Sequence, residues 1–358
     1  MENVVHSSKI GTKNGDEDFM SRLRWALLGL DHHYSALNQL RRAETNRSAK
    51  LVSVWHSDSA RLQEATQGMS VELLSDWRQA IDDPNVDIIL SMSPTPLNYE
   101  IVKTALQEGK HAISVKPGAM DLAGVQELAD LADKHGVVLF PCESLIRLSP
   151  VNQYIKNLVE DGKLGRILSV SQIVHSRPPM DWPGGTSDYS WWIDPQLAPG
   201  GGWMDHSIYT VDLTRWLTGS EFVKVTGYTT NITYKDLQLE DYGVGILETA
   251  TGAVANLEVT WHAAPKSPGR NSIQVLGETG SVVIDNLLSK MAVSENADGK
   301  WSFIDMPQTD RPITVVEHVA HCILNDKQPI ASGYDQVKNL AACLAFYESA
   351  KTERAVRL

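Results

Sequence analysis

Apolar residues in the first 140 positions fall into short unbroken runs, separated by stretches in which they recur every three or four places. The runs are Arg22-Leu23-Arg24-Trp25-Ala26-Leu27-Leu28-Gly29-Leu30, Leu51 to Trp55, Val86 to Met92, His111 to Val115 and Val137 to Phe140. Runs of this length, bounded by polar and turn residues, predict strands buried on both faces. The segment after His33, Ser59 to Gln67, Leu97 to Glu108 and Leu122 to His135 carry the helical period instead. Strands alternating with helices at this spacing predict an α/β fold, a Rossmann-type doubly wound parallel sheet.

The pattern changes after about Arg147. A helix over Val151 to Asp161 leads to a strand over Ile167 to His175, a loop rich in proline and glycine, and a helix over Met204 to Leu217. Strands are then predicted at Val223 to Thr230, Tyr242 to Thr249, Ala253 to His262, Ser272 to Leu276, Ser281 to Ile284, Met291 to Ser294 and Trp301 to Ile304. Connectors such as Thr251-Gly252 and Glu278-Thr279-Gly280 are hairpin turns by composition. The second half therefore reads as an α+β domain on a large, mostly antiparallel open sheet, closed by helices at Ile313 to Asn325 and Tyr334 to Thr352. The expected organisation is a flexible N-terminal extension over 1–21, a dinucleotide-binding domain over 22–147, and a second, substrate-binding domain over 148–358.

A chain of 358 residues exceeds one ordinary core, which agrees with two domains. The net charge of -12 argues against nucleic acid as a partner, because that affinity rests on lysine and arginine neutralising phosphates. No apolar run has the length of a membrane span and no basic-then-apolar leader opens the chain, so the expectation is a cytoplasmic enzyme. Cys142, Cys322 and Cys343 are far apart, without zinc or redox spacing, and no metal site is expected.

Lys116 is the leading catalytic candidate. It ends the strand Ala112-Ile113-Ser114-Val115 and precedes Pro117, and ligands gather at the carboxyl ends of strands in open parallel sheets. Partial desolvation there lowers an ammonium's pKa towards the range useful for proton transfer. A second constellation is Gly200-Gly201-Gly202-Trp203-Met204-Asp205-His206-Ser207-Ile208-Tyr209-Thr210-Val211-Asp212. On a helix, Asp205, Tyr209 and Asp212 share one face, a mixture unlike a core stripe. The glycines either let the backbone approach a ligand or let the loop turn into the helix.

The cofactor end is less regular. Gly29 can make the tight turn after the first strand, while Asp31 and Tyr34 stand where a glycine fingerprint has its second and third glycines. His32 and His33 are candidate phosphate contacts, with surface histidines of the first helical turn the competing reading. Trp55-His56-Ser57-Asp58 ends the second strand; His56 and Ser57 leave NADP open, whereas Asp58 selects NAD if it meets the ribose. Ser93, Pro94, Thr95 and Asn98 are candidates for the nicotinamide end, with helix capping as the alternative for Thr95 and Asn98. Trp182, Tyr189, Trp191 and Trp192, interleaved with Asp181, Asp188 and Asp194, suit a sugar ring or anchor a loop. Arg147 is a candidate ligand for an acidic group or a domain-linking ion pair.

Together these landmarks resemble the Gfo/Idh/MocA family of NAD(P)-dependent oxidoreductases. Val115-Lys116-Pro117 resembles its Glu-Lys-Pro signature with valine for glutamate, and Gly200 to Asp212 resembles its glycine-led helix with Ser207 for glycine and Tyr209 for histidine. Trp192-Ile193-Asp194-Pro195 and the closing segment are also similar. The resemblance implies NAD or NADP as cofactor and a sugar, glycoside or cyclitol as substrate. It also implies that Lys116 contacts the nicotinamide ribose and the substrate, that Asp205 and Tyr209 flank the reacting carbinol, and that the protein is a homodimer or homotetramer; Trp192 and His206 are further candidates for the substrate site. Two other readings stay open: a retained NAD serving elimination or glycoside cleavage, and a non-catalytic binding protein of dehydrogenase shape.

Overall fold

Trp25 and Leu27 point to one side of the first strand and Ala26 and Leu28 to the other, and all four are buried. A strand covered on both faces belongs in the middle of a parallel sheet. The computed structural model describes residues 22–179, 190–262 and 269–358 and places this strand, β1 (Leu23–Leu28), there. The expected N-terminal extension and Trp182, Tyr189, Asp181 and Asp188 lie outside the described residues.

The first half continues with α1 (His33–Arg42), β2 (Ala49–Trp55), α2 (Ser59–Ala65), β3 (Glu72–Leu74), α3 (Arg78–Asp82), β4 (Ile88–Ser91), α4 (Thr95–Gln107), β5 (His111–Ser114), α5 (Leu122–His135) and β6 (Leu139–Pro141). Its sheet has the order β3-β2-β1-β4-β5-β6, every pair parallel. The order reverses between β1 and β4, so a crevice opens at the strand ends there. Sequence periodicity misses β3 and α3. They span three and five residues, too short to show a period, and Leu74 alone of β3 is buried.

After a 3₁₀ segment (Cys142–Leu148) come α6 (Pro150–Glu160), β7 (Ile167–His175), α7 (Ser190–Ile193), α8 (Gly202–Thr218), β8 (Phe222–Thr230), β9 (Tyr242–Thr249), β10 (Val254–Thr260), β11 (Arg270–Gly277), β12 (Ser281–Asp285), β13 (Lys290–Ser294), β14 (Ser302–Asp305), α9 (Val315–Leu324), α10 (Gly333–Thr352) and β15 (Val356–Arg357). The nine-stranded sheet runs β14-β13-β12-β11-β7-β10-β9-β8-β15. It is antiparallel except between β7 and β10, whose crossover carries α8.

One face of this sheet is closed by α8 and α10. Val225, Leu247, Leu257 and Val259 pack there with Trp203, Ile208 and Phe346. Trp203 stacks on Phe346 at 3.6 Å between centroids. Both rest on β9 at Gly243 and Gly245, where a Cβ would come within 2.8 and 3.0 Å of the Trp203 side chain. Larger residues there would push α8 off the sheet. The later chain also returns to the first sheet: Val315, Val316, Val319 and Ala320 of α9 join the layer containing Trp25 and Leu27. Among the described residues no helix is long and apolar enough to cross a membrane.

Of the two roles open to Arg147, the structure shows the domain-linking ion pair. Its guanidinium is consumed inside the protein: Nε donates to Asp212 Oδ2 at 2.8 Å, Nη1 to the Ile330 carbonyl at 2.9 Å, and Nη2 to Asp335 Oδ1 at 2.8 Å. Asp212 also accepts from Ser144 Oγ at 2.8 Å and Asn339 Nδ2 at 2.9 Å. The arginine joins the end of the first sheet to α8 and α10, leaving no donor face for a substrate. Arg147→Met strands a buried carboxylate, and urea denaturation is expected to show a loss of about 3–5 kcal/mol. A substrate-binding arginine would raise KM and leave stability near wild type.

Candidate active site

Glu240 positions the first turn of α8. Its carboxylate accepts from Gly201 N at 3.1 Å and Trp203 N at 3.0 Å, taking two N–H groups that a helix N-terminus leaves without intrahelical partners. Tyr347 Oη donates to the same group at 2.7 Å. A Cβ on Gly201 would lie 2.2 Å from the Glu240 carbonyl oxygen, and one on Gly200 2.1 Å from Tyr347 Oη. The glycines therefore serve helix docking against the chain rather than approach to a ligand. Docking this turn sets Asp205, the first acidic residue of α8, at the end of β5.

There Asp205 meets Lys116, just past the end of β5. Lys116 is only 2% exposed, and its Nζ donates to Asp205 Oδ1 and to the Asp205 carbonyl. The same nitrogen lies 4.4 Å from the Trp192 ring centroid and 5.2 Å from that of Tyr209, so two aromatic faces complete its surroundings. Asp205 Oδ2 accepts from Trp261 Nε1 at 2.9 Å and lies 2.9 Å from His206 Nδ1. Asp212, two turns further along α8, pairs with Arg147 instead. Trp261 was missed by sequence reasoning, because nothing in its spacing shows that the end of β10 faces Asp205.

Burial pushes the Lys116 ammonium down from the ordinary lysine range; Asp205 and, more weakly, Glu143 oppose that push without cancelling it. Burial would raise the Asp205 carboxyl, but His206 and Lys116 together hold it well below the usual carboxylate range. The aspartate is thus ionised throughout the working pH range. Glu143, fully buried behind the pair, is pushed up to about 7 by burial and by Asp212. A desolvated amine beside a permanent carboxylate gives up its proton more readily than an exposed lysine does, and can take it back.

The β1 end supplies the other wall of the crevice. Gly29 turns at φ +96°, and a Cβ on it would lie 2.3 Å from Ser93 Oγ, so glycine is required. Asp31 N and His32 N both donate to the Met92 carbonyl at 3.1 Å, which draws the turn onto the end of β4. The buried His32 ring meets the Trp192 edge at 5.4 Å, so one tryptophan stands between the turn and Lys116. His32, Met92, Val115 and Tyr209 line one cavity. The side chain of His33 lies outside the described residues.

Several residues expected at the cofactor also carry internal hydrogen bonds. Asn98 Nδ2 donates to Ser114 Oγ and the Gly118 carbonyl, both at 3.0 Å, which spends its amide hydrogens on the turn that carries Lys116. Ser93 Oγ donates to the Leu28 carbonyl at 3.2 Å, and Pro94 leads into α4. Ser57 is exposed, and Asp58 caps α2 by accepting from Ala60 N and Arg61 N. His56 is buried and lowered to about 4 by burial and the Arg61 charge, so its neutral ring accepts from Leu30 N at 3.3 Å. Arg61, unremarked in the sequence, donates to the Leu30 carbonyl at 2.5 Å.

Comparison with known proteins matches residues 23–142 to an oxidoreductase family with an NAD-binding Rossmann fold and residues 152–283 to the GFO/IDH/MocA C-terminal domain. The chain belongs to the GFO/IDH/MocA family. It is 26% identical to scyllo-inositol 2-dehydrogenase (NAD(+)) of Bacillus subtilis (strain 168), over 94% of this chain and 96% of that protein. It is 25% identical to D-xylose 1-dehydrogenase [NADP(+)] of Haloarcula marismortui over 76% of this chain and 74% of that one. The crystal structure of aldose-aldose oxidoreductase from Caulobacter crescentus, complexed with glycerol, superposes with a TM-score of 0.81 at 26% identity, covering 94% of this chain and 100% of that one.

The residues present in this GFO/IDH/MocA chain fit a dinucleotide. The Gly29 turn leads into α1, whose N-terminus has no side-chain cap from His32 and no acidic residue in its first turn. The N–H groups of a helix's first turn favour a pyrophosphate. Asp31 departs from that pattern: burial pushes its carboxyl up to about 6, with Arg61 opposing, so it is mostly charged at pH 7.5. Asp31→Asn is expected to tighten NAD(P) binding by up to about tenfold at pH 7.5, the scale of one charge interaction near the surface. As pH falls through 6 the wild type should gain affinity and close the gap, because its own carboxyl protonates. Titration calorimetry at both ends of that range reads this; weaker binding by the variant at every pH would make Asp31 a cofactor ligand.

Proposed function

We propose that the chain oxidises a secondary alcohol of a sugar, glycoside or cyclitol, or reduces the corresponding ketone, as a cytoplasmic NAD(P)-dependent dehydrogenase. The observation that carries this reading is the Lys116 nitrogen held among Asp205, Trp192 and Tyr209 beside the β1–β4 crevice. When bound, NAD or NADP supplies the hydride-accepting nicotinamide. Gly29, His32 and the α1 N-terminus would hold its pyrophosphate. The β2 end supports admission of NADP as well as NAD, since His56 is neutral, Asp58 is turned to a helix cap and Arg61 adds a positive charge.

Lys116 takes the hydroxyl proton on oxidation and returns it on reduction. Asp205 holds the amine in place, and the Tyr209 phenol either orients the substrate hydroxyl or shares its proton with Lys116. Trp192 is buried against Lys116, Trp191 and His32 and shapes the wall behind the amine, while the partly exposed His206 stands nearer a substrate. On the uncovered side of the second sheet, Tyr228 and Ile246 are 58% and 50% exposed, which supports association into a homodimer or homotetramer.

Assaying the protein with NAD and with NADP against sugars, glycosides and inositols at the reduced-nicotinamide absorbance tests the assignment. On the best substrate, Lys116→Met is expected to cut kcat by about 10²–10⁴-fold and abolish the acidic limb of the pH-rate profile. Tyr209→Phe should cost less and keep that limb if the tyrosine only orients, or reshape it if the proton is shared. Near wild-type turnover in both variants contradicts the mechanism.

A further inference from the structure

A second group of chemistry-bearing side chains lies on the second sheet, outside the Lys116 site. His175 ends β7, Glu258 is in β10, and His262 follows the end of β10. One donor atom from each of the three lies within 4.8 Å of the others, and His175 Nε2 is 2.9 Å from Glu258 Oε1. All three are half-buried. Their proximity comes from the parallel pairing of β7 with β10, where His175 faces Thr260. Leu257 and Val259 face α8, so strand alternation turns Glu258 to the opposite face.

We propose that His175, Glu258 and His262 form a binding site for a divalent transition-metal cation of the zinc type. Two imidazoles and one carboxylate are a donor set for Zn²⁺ or Co²⁺, whereas Mg²⁺ and Ca²⁺ prefer oxygen ligands. Tetrahedral Zn²⁺ needs donors roughly 3.4 Å apart, given metal–ligand bonds of about 2.0–2.1 Å. The His175–Glu258 pair is already near that spacing, and the His262 donor atom lies within 4.8 Å of both. Tyr242 stacks on the His262 ring at 5.8 Å and an interplanar angle of 15°, which orients it. Three protein ligands leave the fourth position to water.

The site would brace the catalytic crevice from outside. His262 directly follows Trp261, whose indole holds Asp205, and His175 ends β7. A cation here would tie the end of β7 to the residue that follows Trp261. The proposal does not depend on the dehydrogenase assignment.

The test uses untagged full-length protein, stripped with chelator, equilibrated with ZnCl₂ and then desalted. Elemental analysis is expected to find one zinc per chain, and Zn²⁺ should raise Tm. His262→Gln and Glu258→Gln are each expected to weaken binding at least tenfold, and Co²⁺ should give the d–d bands of a four- or five-coordinate nitrogen and oxygen site. Zinc at background level, undiminished binding in either variant, a six-coordinate Co²⁺ spectrum, or a thiolate charge-transfer band from Cys142, Cys322 or Cys343 would each overturn the site. Should a variant fail to fold, the wild-type stoichiometry and Co²⁺ spectrum decide alone.

Discussion

A lysine and an aspartate from opposite halves of the chain, 89 residues apart in sequence, meet where water does not reach. Removing two charges from water costs several kcal/mol for each, and their attraction offsets that only when the remaining lone pairs and protons find partners. Here they do. Asp205 is bonded to Lys116 and Trp261 with His206 alongside, and the lysine nitrogen also reaches a backbone carbonyl and two ring faces. The pair is rigid because its supports are: Asn98 fixes the turn after β5, and Glu240 fixes the first turn of α8.

Helix α8 then acts as a ruler between the two halves. Asp205 and Asp212 stand two turns apart on one face, about 10.5 Å along the axis. Each is matched by a cation from the carboxyl end of the first sheet, Lys116 after β5 and Arg147 after β6. The resemblance of the two pairs ends at their surroundings. Arg147 has every nitrogen engaged and makes a clamp, whereas Lys116 faces aromatic rings at the crevice and keeps a proton that can be exchanged. Tyr209 lies between the two carboxylates in sequence, with its ring centroid 5.2 Å from the lysine nitrogen.

Much of this was legible in the residue order. The lone lysine at the end of an apolar strand and the carboxylates recurring at helical spacing from Asp205 place both partners, and Gly29 marks the turn where positive φ is needed. The parts that escaped are those set by pairing between distant segments. Trp261 and Glu240 act on α8 from the sheet, and no local period announces them. Arg147 and Asn98 have the chemistry of ligand-binding residues, and only the positions of Asp212, Asp335 and Gly118 show that their donors are spent internally. His175 and Glu258 are separated by 83 residues and become neighbours through one parallel strand pair.

The central claim is that the Asp205 charge holds the Lys116 proton. Asp205 raises the lysine's affinity for that proton against the push of burial, so replacing the carboxylate with an amide should make the amine lose it more readily. The pH dependence of kcat/KM for alcohol oxidation by Asp205→Asn measures this most directly. The account predicts that the acidic limb, where the lysine must deprotonate, moves to lower pH than in the wild type, with a reduced plateau. An acidic limb that stays in place or moves to higher pH would contradict it.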